Sequence, residues 1–431
     1  MAPQKTLPLS ALGLRAKGGQ DVEITGLSVD SRTVKPGHLF AALPGSKLHG
    51  GEFIQYALRM EAAAILTDRE GARIAADELA ASKAALIVTE DPRAALAYAA
   101  ALWFGAQPEV MVAVTGTNGK TSVASFTRQI WTELGLMAAN IGTTGVEGAF
   151  AAPSPHTTPE PITLHRLLAE MSGAGVTHAA MEASSHGLDQ RRLEGVHLAA
   201  AGFTNFTQDH LDYHASFDDY FRAKARLFNR VLPDDGVAVL NVDDPRGREL
   251  EEIAQERGQE VISIGRTEDC TLQLTSQRYH MTGQQIRFLY NGRPQTVQLD
   301  LIGGVQAENV LVAAGLIASA AAGDQVSSGN STDLDAYRSL DGSTAASGAY
   351  FNQIVGTGIA GSSDHVYVWY ADGTVSSGTT KDLDAYRPRQ SYNLPPGYHT
   401  TDIVGMGIAG SSDHVYAFYR NGMVSAGTST D

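Results

Sequence analysis

The stretch Met111-Val112-Ala113-Val114-Thr115-Gly116-Thr117-Asn118-Gly119-Lys120-Thr121-Ser122 limits what this chain can fold into more than any other. A short Val-rich run leads straight into a glycine-punctuated turn, and a helix-compatible segment, Val123 to Leu134, follows. Strand, glycine loop and helix in that order predict a phosphate cradle. Small residues let backbone N–H groups approach phosphate oxygens, and the helix N-terminus adds positive potential. Lys120 would supply a point charge, and Thr121 a hydroxyl for Mg²⁺. The strict G-x-x-x-x-G-K-[ST] pattern is not met, because Val114 occupies the place of its first glycine. A bare Gly-Lys-Thr after a strand arises by chance; the string Thr-Gly-Thr-Asn-Gly-Lys-Thr is far more specific.

Strand and helix patterns alternate from residue 109 to about 322, as a mostly parallel nucleotide-binding sheet requires. Before it, residues 1–108 form a separate α/β unit. Strand-like runs around Val22–Val29 and Gly37–Leu43 flank a polar turn, Asp30-Ser31-Arg32, and helical patterns follow near Phe53–Glu61 and Ala94–Trp103. At 431 residues the chain has room for about two to four domains. Its net charge of −15 argues against a nucleic-acid partner, which needs a basic surface. The lone Cys270 excludes an intrachain disulfide and a multi-cysteine metal site, and reads as structural. With no apolar leader at Met1–Lys5 and no run of about eighteen apolar residues, the chain is expected to be cytoplasmic, with no membrane partner.

Three further strings carry chemistry. Met181-Glu182-Ala183-Ser184-Ser185-His186-Gly187-Leu188-Asp189-Gln190-Arg191-Arg192 puts a carboxylate at a strand end, then hydroxyls and arginines, which suits Mg²⁺ and a phosphorylated substrate. Thr204 to His214 contains His210, a potential metal ligand, and His214, better read as structural. Tyr220 to Phe228 places Lys224 on a helical pattern, where a solvated lysine is the ordinary reading. Between the phosphate loop and the first of these strings lie Gly142-Thr143-Thr144-Gly145 and His156-Thr157-Thr158-Pro159-Glu160, the latter also readable as a loop and helix cap. Val237 to Asp244 is an apolar strand ending in Asn-x-Asp-Asp, either a crevice edge or a plain turn.

Together these strings resemble the Mur ligases, specifically the MurE type that adds the third residue of the peptidoglycan stem peptide. The resemblance covers residues 1 to about 320 and implies a Mur ligase N-terminal domain plus a P-loop-like central ATPase domain. It implies ATP bound by Gly116, Thr117, Asn118, Gly119, Lys120, Thr121 and Ser122, with Asn309 of the Gly303–Val310 element near the adenine. Mg²⁺ would be held by Thr121, Glu182, His210 and Lys224, the last carbamylated, a reaction that needs a neutral amine. UDP-N-acetylmuramoyl-L-Ala-D-Glu would be met by Ser31, Thr157, Thr158, Ser184, Gln190 and Arg192, and Lys120, Lys224 and His210 would serve catalysis. The Gly45–Gly50 loop matches a second uridine contact region, where His49 has no stronger claim than a surface histidine. His156 stands where the family often has asparagine.

The character of the sequence changes at Ala322–Asp324: after Glu308 there is no further glutamate, and Ser, Thr, Gly, Asp and Tyr dominate. Ile354 to Tyr367 returns at Ile403 to Tyr416, and Asp333 to Arg338 returns at Asp382 to Arg387, each 49 residues later. Such a period with turn glycines predicts all-β propeller blades over 323–431, and the strings resemble a Photorhabdus-type seven-bladed propeller lectin that binds fucosylated sugars. A little over two blades cannot close a ring, so blades from several chains would have to associate as a homo-oligomer. Trp369, Tyr370, Phe418 and Tyr419 read first as blade core and second as sugar platforms. No Asp-Asn-Pro-Arg string of the family's C-terminal, amine-binding domain is found. Three expectations follow: a ligase body, a chimera whose working part is a carbohydrate-binding or self-assembling blade repeat, or a nucleotide and UDP-sugar binder without catalysis.

Overall fold

The computed structural model describes residues 5–45, 47–154, 156–207 and 213–319 with their side chains. Beyond these it describes only the backbone of the end of one helix and of a set of short strands. The chain divides into two compact units, Met1–Ala320 and Ala321–Asp431.

The first unit opens with a four-stranded parallel sheet of β1 (Gly26–Ser28), β2 (His38–Ala42), β3 (Ala64–Thr67) and β4 (Ala85–Val88), ordered as in sequence. Every residue of β3 is buried, as the apolar run Ala-Ile-Leu-Thr dictates for a strand covered on both faces. Helices α1 (Ile54–Arg59), α2 (Arg69–Ile74) and α3 (Ala76–Ala81) fill the crossovers. α4 (Pro92–Phe104) follows β4 and turns Leu96, Ala99 and Trp103 into the core. It starts where Asp91 accepts a 3.0 Å hydrogen bond from the Ala94 N–H and Pro92 takes the first helical position. It ends at Gly105, whose φ of 74° needs a residue without Cβ. His49 differs from its sequence reading. Its Nδ1 accepts from the Gly51 N–H at 2.9 Å and its Nε2 lies 3.1 Å from an Asp68 oxygen, so it caps a turn instead of facing solvent.

A ten-stranded sheet carries the central domain. In chain order its elements are β5 (Val110–Thr115), α5 (Lys120–Glu133), β6 (Ala138–Gly142), β7 (Gly145–Gly148), α6 (Pro161–Gly173), β8 (His178–Glu182) and α7 (Ser185–Asp189). Then come β9 (Ala200–Phe203), α8 (Phe217–Arg226), β10 (Val237–Asn241), α9 (Pro245–Glu256), β11 (Glu260–Gly265), β12 (Leu272–His280), β13 (Gly283–Tyr290), β14 (Arg293–Leu299) and α10 (Gln306–Ala321). The strand order is β14-β13-β12-β11-β10-β9-β5-β8-β6-β7, parallel from β12 to β6 with antiparallel strands at both ends. One buried cluster around Leu164, Phe203 and Phe228 packs one face, and another around Trp131, Val239 and Leu311 packs the other. Burying each such side chain contributes about 1.5–3 kcal/mol before conformational entropy is charged against it. From β5 the chain goes first to β6 and β8 on one side, then to β9 on the other. A crevice therefore opens at the carboxyl end of β5, where open α/β sheets place ligands. Among the described residues no helix is long and apolar enough to cross a membrane.

In the second unit, strands Ile354–Ile359, His365–Tyr370, Thr374–Thr379 and Asp382–Pro388 form one antiparallel sheet, and Ile403–Ile408, His414–Tyr419 and Val424–Thr428 another. Both carry the same register slip. Ile354 pairs with Tyr370 and Gly356 with Trp369, just as Ile403 pairs with Tyr419 and Gly405 with Phe418. The sequence repeat is thus a backbone repeat. The junction at Ala322–Asp324 and the side chains of Trp369, Tyr370, Phe418 and Tyr419 lie outside what the structure describes.

Candidate active site

The loop after β5 is held by its neighbours before any ligand is considered. Gly116 has φ 143° and Gly119 φ 89°, both closed to ordinary side chains. The Asn118 N–H donates to Asn205 Oδ1 at 3.0 Å, and the Asn118 carbonyl accepts from Thr204 Oγ1 at 2.6 Å. The Thr117 N–H donates to the Asn205 carbonyl at 2.8 Å. The segment after β9 therefore sets the loop's shape. Asn241 and Asp244 support that segment in turn, through a 2.8 Å bond from Asn241 Nδ2 to the Thr204 carbonyl and a 2.6 Å bond from the Phe206 N–H to Asp244. The Asn-x-Asp-Asp strand end is thus a brace for the loop.

Two lysines converge on one carbonyl. Lys120 Nζ donates to the Gly116 and Thr117 carbonyls, each at 2.9 Å, and Lys224 Nζ donates to the Gly116 carbonyl at 2.7 Å. Lys224 is 1% exposed, so the solvated reading of its helix position is wrong. α8 turns its Tyr220, Ala223 and Lys224 face inward, and Lys224 Nζ lies 4.5 Å from the Tyr220 ring centroid.

Glu182, at the end of β8 and 1% exposed, is the hub of the crevice. Its Oε1 accepts from the Thr121 hydroxyl at 3.0 Å and from the Thr143 N–H at 2.8 Å. Gly142 makes room for it, because a Cβ there would sit 1.9 Å from Glu182 Oε1. Thr158 Oγ1 donates to the Glu182 carbonyl at 2.8 Å and accepts from the Ser184 N–H at 3.0 Å. Thr157 lies hydroxyl to hydroxyl with Thr143 at 3.1 Å. Ser184 caps α7, and Arg192 donates to the Thr158 carbonyl at 2.6 Å and to Gln190 Oε1 at 2.8 Å. Burial draws the Arg192 guanidinium below its usual pKa, with Arg93 adding to the effect. Beneath this rim, burial pushes His165 down to about 4. It is neutral at pH 7, and its Nε2–H donates to the Glu194 carbonyl at 3.0 Å.

Thr117, Lys120, Thr121, Thr157, Thr158, Glu182, Ser184, Arg192 and Lys224 all line one cavity of about 590 Å³, with Asn118 and Gly119. Gly116, Ser122, Gln190 and Asn309 do not line it. Asn309 nonetheless supports the loop, for a Cβ on Gly119 would meet its Oδ1 at 2.4 Å. Ser31 lines a separate cavity of about 710 Å³ with Phe40, Leu43, Leu48, Phe53 and Tyr56. His210 lies outside the described residues. Thr143, Asn205 and Tyr213 were given no role by the sequence. Tyr213 donates to Asp189 and accepts from Gln190 Nε2, and its ring lies 3.9 Å from that of His186.

The donor set fits the groups the sequence implies. A carboxylate and a hydroxyl are hard oxygen ligands of the kind Mg²⁺ takes, and a loop with glycines at 116 and 119, leading into the N-terminus of the 14-residue α5, fits a polyphosphate.

Comparison with known proteins identifies the family of the first unit. The family model described as the Mur ligase middle domain matches residues 114–317, and that described as Mur ligase family, catalytic domain, matches residues 23–103. UDP-N-acetylmuramoyl-L-alanyl-D-glutamate–2,6-diaminopimelate ligase of Mesorhizobium japonicum is 46% identical over 314 residues, 72% of this chain and 62% of that protein. Its counterpart in Brucella melitensis is 48% identical over 297 residues, 69% of this chain and 59% of that protein. A solved structure of a ligase of the same name superposes with a TM-score of 0.62 at 27% identity, covering 73% of this chain and 63% of that one. The chain thus spans about six tenths of the length of these relatives. Its residues 23–317 belong to the Mur ligase family, as the N-terminal and middle domains of that fold.

Proposed function

We propose that the chain is an ATP-dependent ligase body that loads Mg-ATP and UDP-N-acetylmuramoyl-L-Ala-D-Glu and phosphorylates one of the two carboxylates of the D-Glu. A carboxylate oxygen attacks the γ-phosphorus and ADP leaves. An amine then attacks the acyl carbon, losing a proton, and inorganic phosphate departs. The amine we assign is 2,6-diaminopimelate, the one in the names of the relatives. The observation that carries the reading is Glu182, whose carboxylate joins Thr121 of the phosphate loop to Thr143, which in turn meets the Thr157 hydroxyl. Mg²⁺ there would neutralise charge on the transferring phosphoryl group, which is most of what phosphoryl transfer asks of a protein. Lys120 needs only to swing from its own loop's carbonyls to reach the phosphates. Thr158, Ser184 and Arg192 orient the sugar phosphate end of the acceptor.

The 710 Å³ cavity suits the uridine, with aromatic Phe40, Phe53 and Tyr56 beside the hydroxyl of Ser31. Calorimetric titration tests both halves of the reading. Saturable heats are expected for the UDP-linked dipeptide and for Mg-bound non-hydrolysable ATP, and folded protein giving neither would refute it. Ser31→Ala should weaken the UDP-linked dipeptide about 3- to 10-fold, the worth of one hydrogen bond, and leave the nucleotide unaffected. We further propose that Lys224 is carbamylated, which would turn its amine into an anion beside Gly116. Native mass spectrometry in bicarbonate should show one added CO₂ that Lys224→Arg abolishes; an unmodified wild-type mass would rule this out.

We also keep a second reading, resting on the 49-residue sequence repeat alone, in which the tail self-assembles or binds fucosylated sugar. A monomeric chain with no affinity for fucose would dispose of it.

A further inference from the structure

Residues on either side of Arg192, namely Arg191 and Glu194, are held by α4 and its cap residue from the other domain. α7 ends in a turn whose last residue, Arg191, has φ 60°, a left-handed position that usually falls to glycine. The Arg192 N–H closes the turn on the Gly187 carbonyl at 2.9 Å, and the Arg191 N–H bonds the Leu188 carbonyl at 3.2 Å. The turn sends consecutive side chains apart. Arg192 enters the crevice, while Arg191 Nε reaches Asp91 Oδ2 at 2.9 Å across the domain boundary. Asp91 uses its other oxygen to cap α4, so each of its oxygens has one fixed task.

Two residues beyond Arg192, the Glu194 carboxylate is 2% exposed and accepts from Tyr98 Oη at 3.0 Å, almost two turns further along α4, and from Arg230 Nε. Between Asp91 and Tyr98, Arg93 bonds the Pro44 carbonyl, next to Leu43 in the wall of the second cavity. One helix therefore touches the frame of both cavities.

We propose that Asp91 and Tyr98 are positioning residues for the nucleotide-sugar. Through Arg191 and Glu194 they aim the Arg192 guanidinium and couple the uridine cavity to the crevice. The inference rests on the proposed substrate, but its test separates the two. Asp91→Asn keeps the helix cap, since asparagine caps as well as aspartate, and removes the charge that Arg191 meets. Arg191→Gly keeps the left-handed turn and removes the strut. In the full chain, both variants should raise the Kd for the UDP-linked dipeptide about tenfold, the scale of one charge-assisted hydrogen bond. Hydrogen exchange of the 187–194 amides should quicken at least about fivefold, with Mg-nucleotide affinity and the Tm of Arg191→Gly unchanged. Unchanged exchange in both variants overturns the strut. Faster exchange with unchanged dipeptide affinity overturns its role in aiming Arg192, and a joint fall of nucleotide affinity, dipeptide affinity and Tm would make it merely structural. If the wild type does not bind the dipeptide, the substrate reading fails and the exchange result alone decides the strut.

Discussion

Glu182→Gln is expected to lower phosphate release from Mg-ATP by about 10³-fold or more, with little change in Tm. The loss comes from charge and from hydrogen-bond polarity together. Glu182 Oε1 accepts from both Thr121 Oγ1 and the Thr143 N–H. A glutamine fits the same space but offers one accepting oxygen and an NH₂ in place of the second, and it removes the negative charge an Mg²⁺ would need. At about 1.4 kcal/mol per tenfold, a thousandfold loss asks roughly 4 kcal/mol of that charge, within the range for one preorganised electrostatic contact. Steady-state phosphate release, with circular dichroism to confirm folding, checks it. Turnover within about tenfold of wild type would mean that Glu182 is a structural acceptor only.

Gly116→Ala should act on fold and ligand alike. A Cβ there would lie 1.9 Å from Thr204 Oγ1 and 3.1 Å from both the nitrogen and the oxygen of the Asn205 backbone, at φ 143°. The hydroxyl is bonded to the Asn118 carbonyl and so is not free to rotate away, and the Asn205 backbone has no rotamer to change. The strained φ alone costs about 1–3 kcal/mol, and the displaced carbonyl would disturb the bonds from Lys120 and Lys224. We expect a stability loss of about 3 kcal/mol or more and at least about 100-fold weaker Mg-nucleotide binding. Gly135→Ala is the matched control. Its φ is 81° but nothing lies within 4 Å, so it should cost about 1 kcal/mol and leave nucleotide binding intact. Equal effects at the two positions would show that the loop's packing is not what matters.

What the sequence made legible was whatever lies within one strand-to-helix turn. The phosphate loop and Glu182 at its strand end are each written in about a dozen consecutive residues, whereas the helical pattern of α8 does not say that Lys224 points inward. What it hid depends on distance along the chain. Thr143 acquires its role only because β6 lies next to β8, and Asn205 only because β9 lies next to β5. Asp91 and Arg191 are joined across the domain boundary by the packing of α4, which no local pattern encodes. His49 was underrated for a related reason. Its partner Asp68 caps a different helix, so neither residue alone suggests burial. The two readings of Val237–Asp244 could not be separated without knowing that β9 runs beside β10.

The most direct test of the account is phosphate release from Mg-ATP by the full chain, with and without UDP-N-acetylmuramoyl-L-Ala-D-Glu whose two D-Glu carboxylates carry ¹⁸O. The account predicts release that requires the dipeptide, transfers the label into inorganic phosphate, and is accelerated by 2,6-diaminopimelate. Folded protein that releases no phosphate, or releases it equally without the dipeptide, would contradict carboxylate activation at this site.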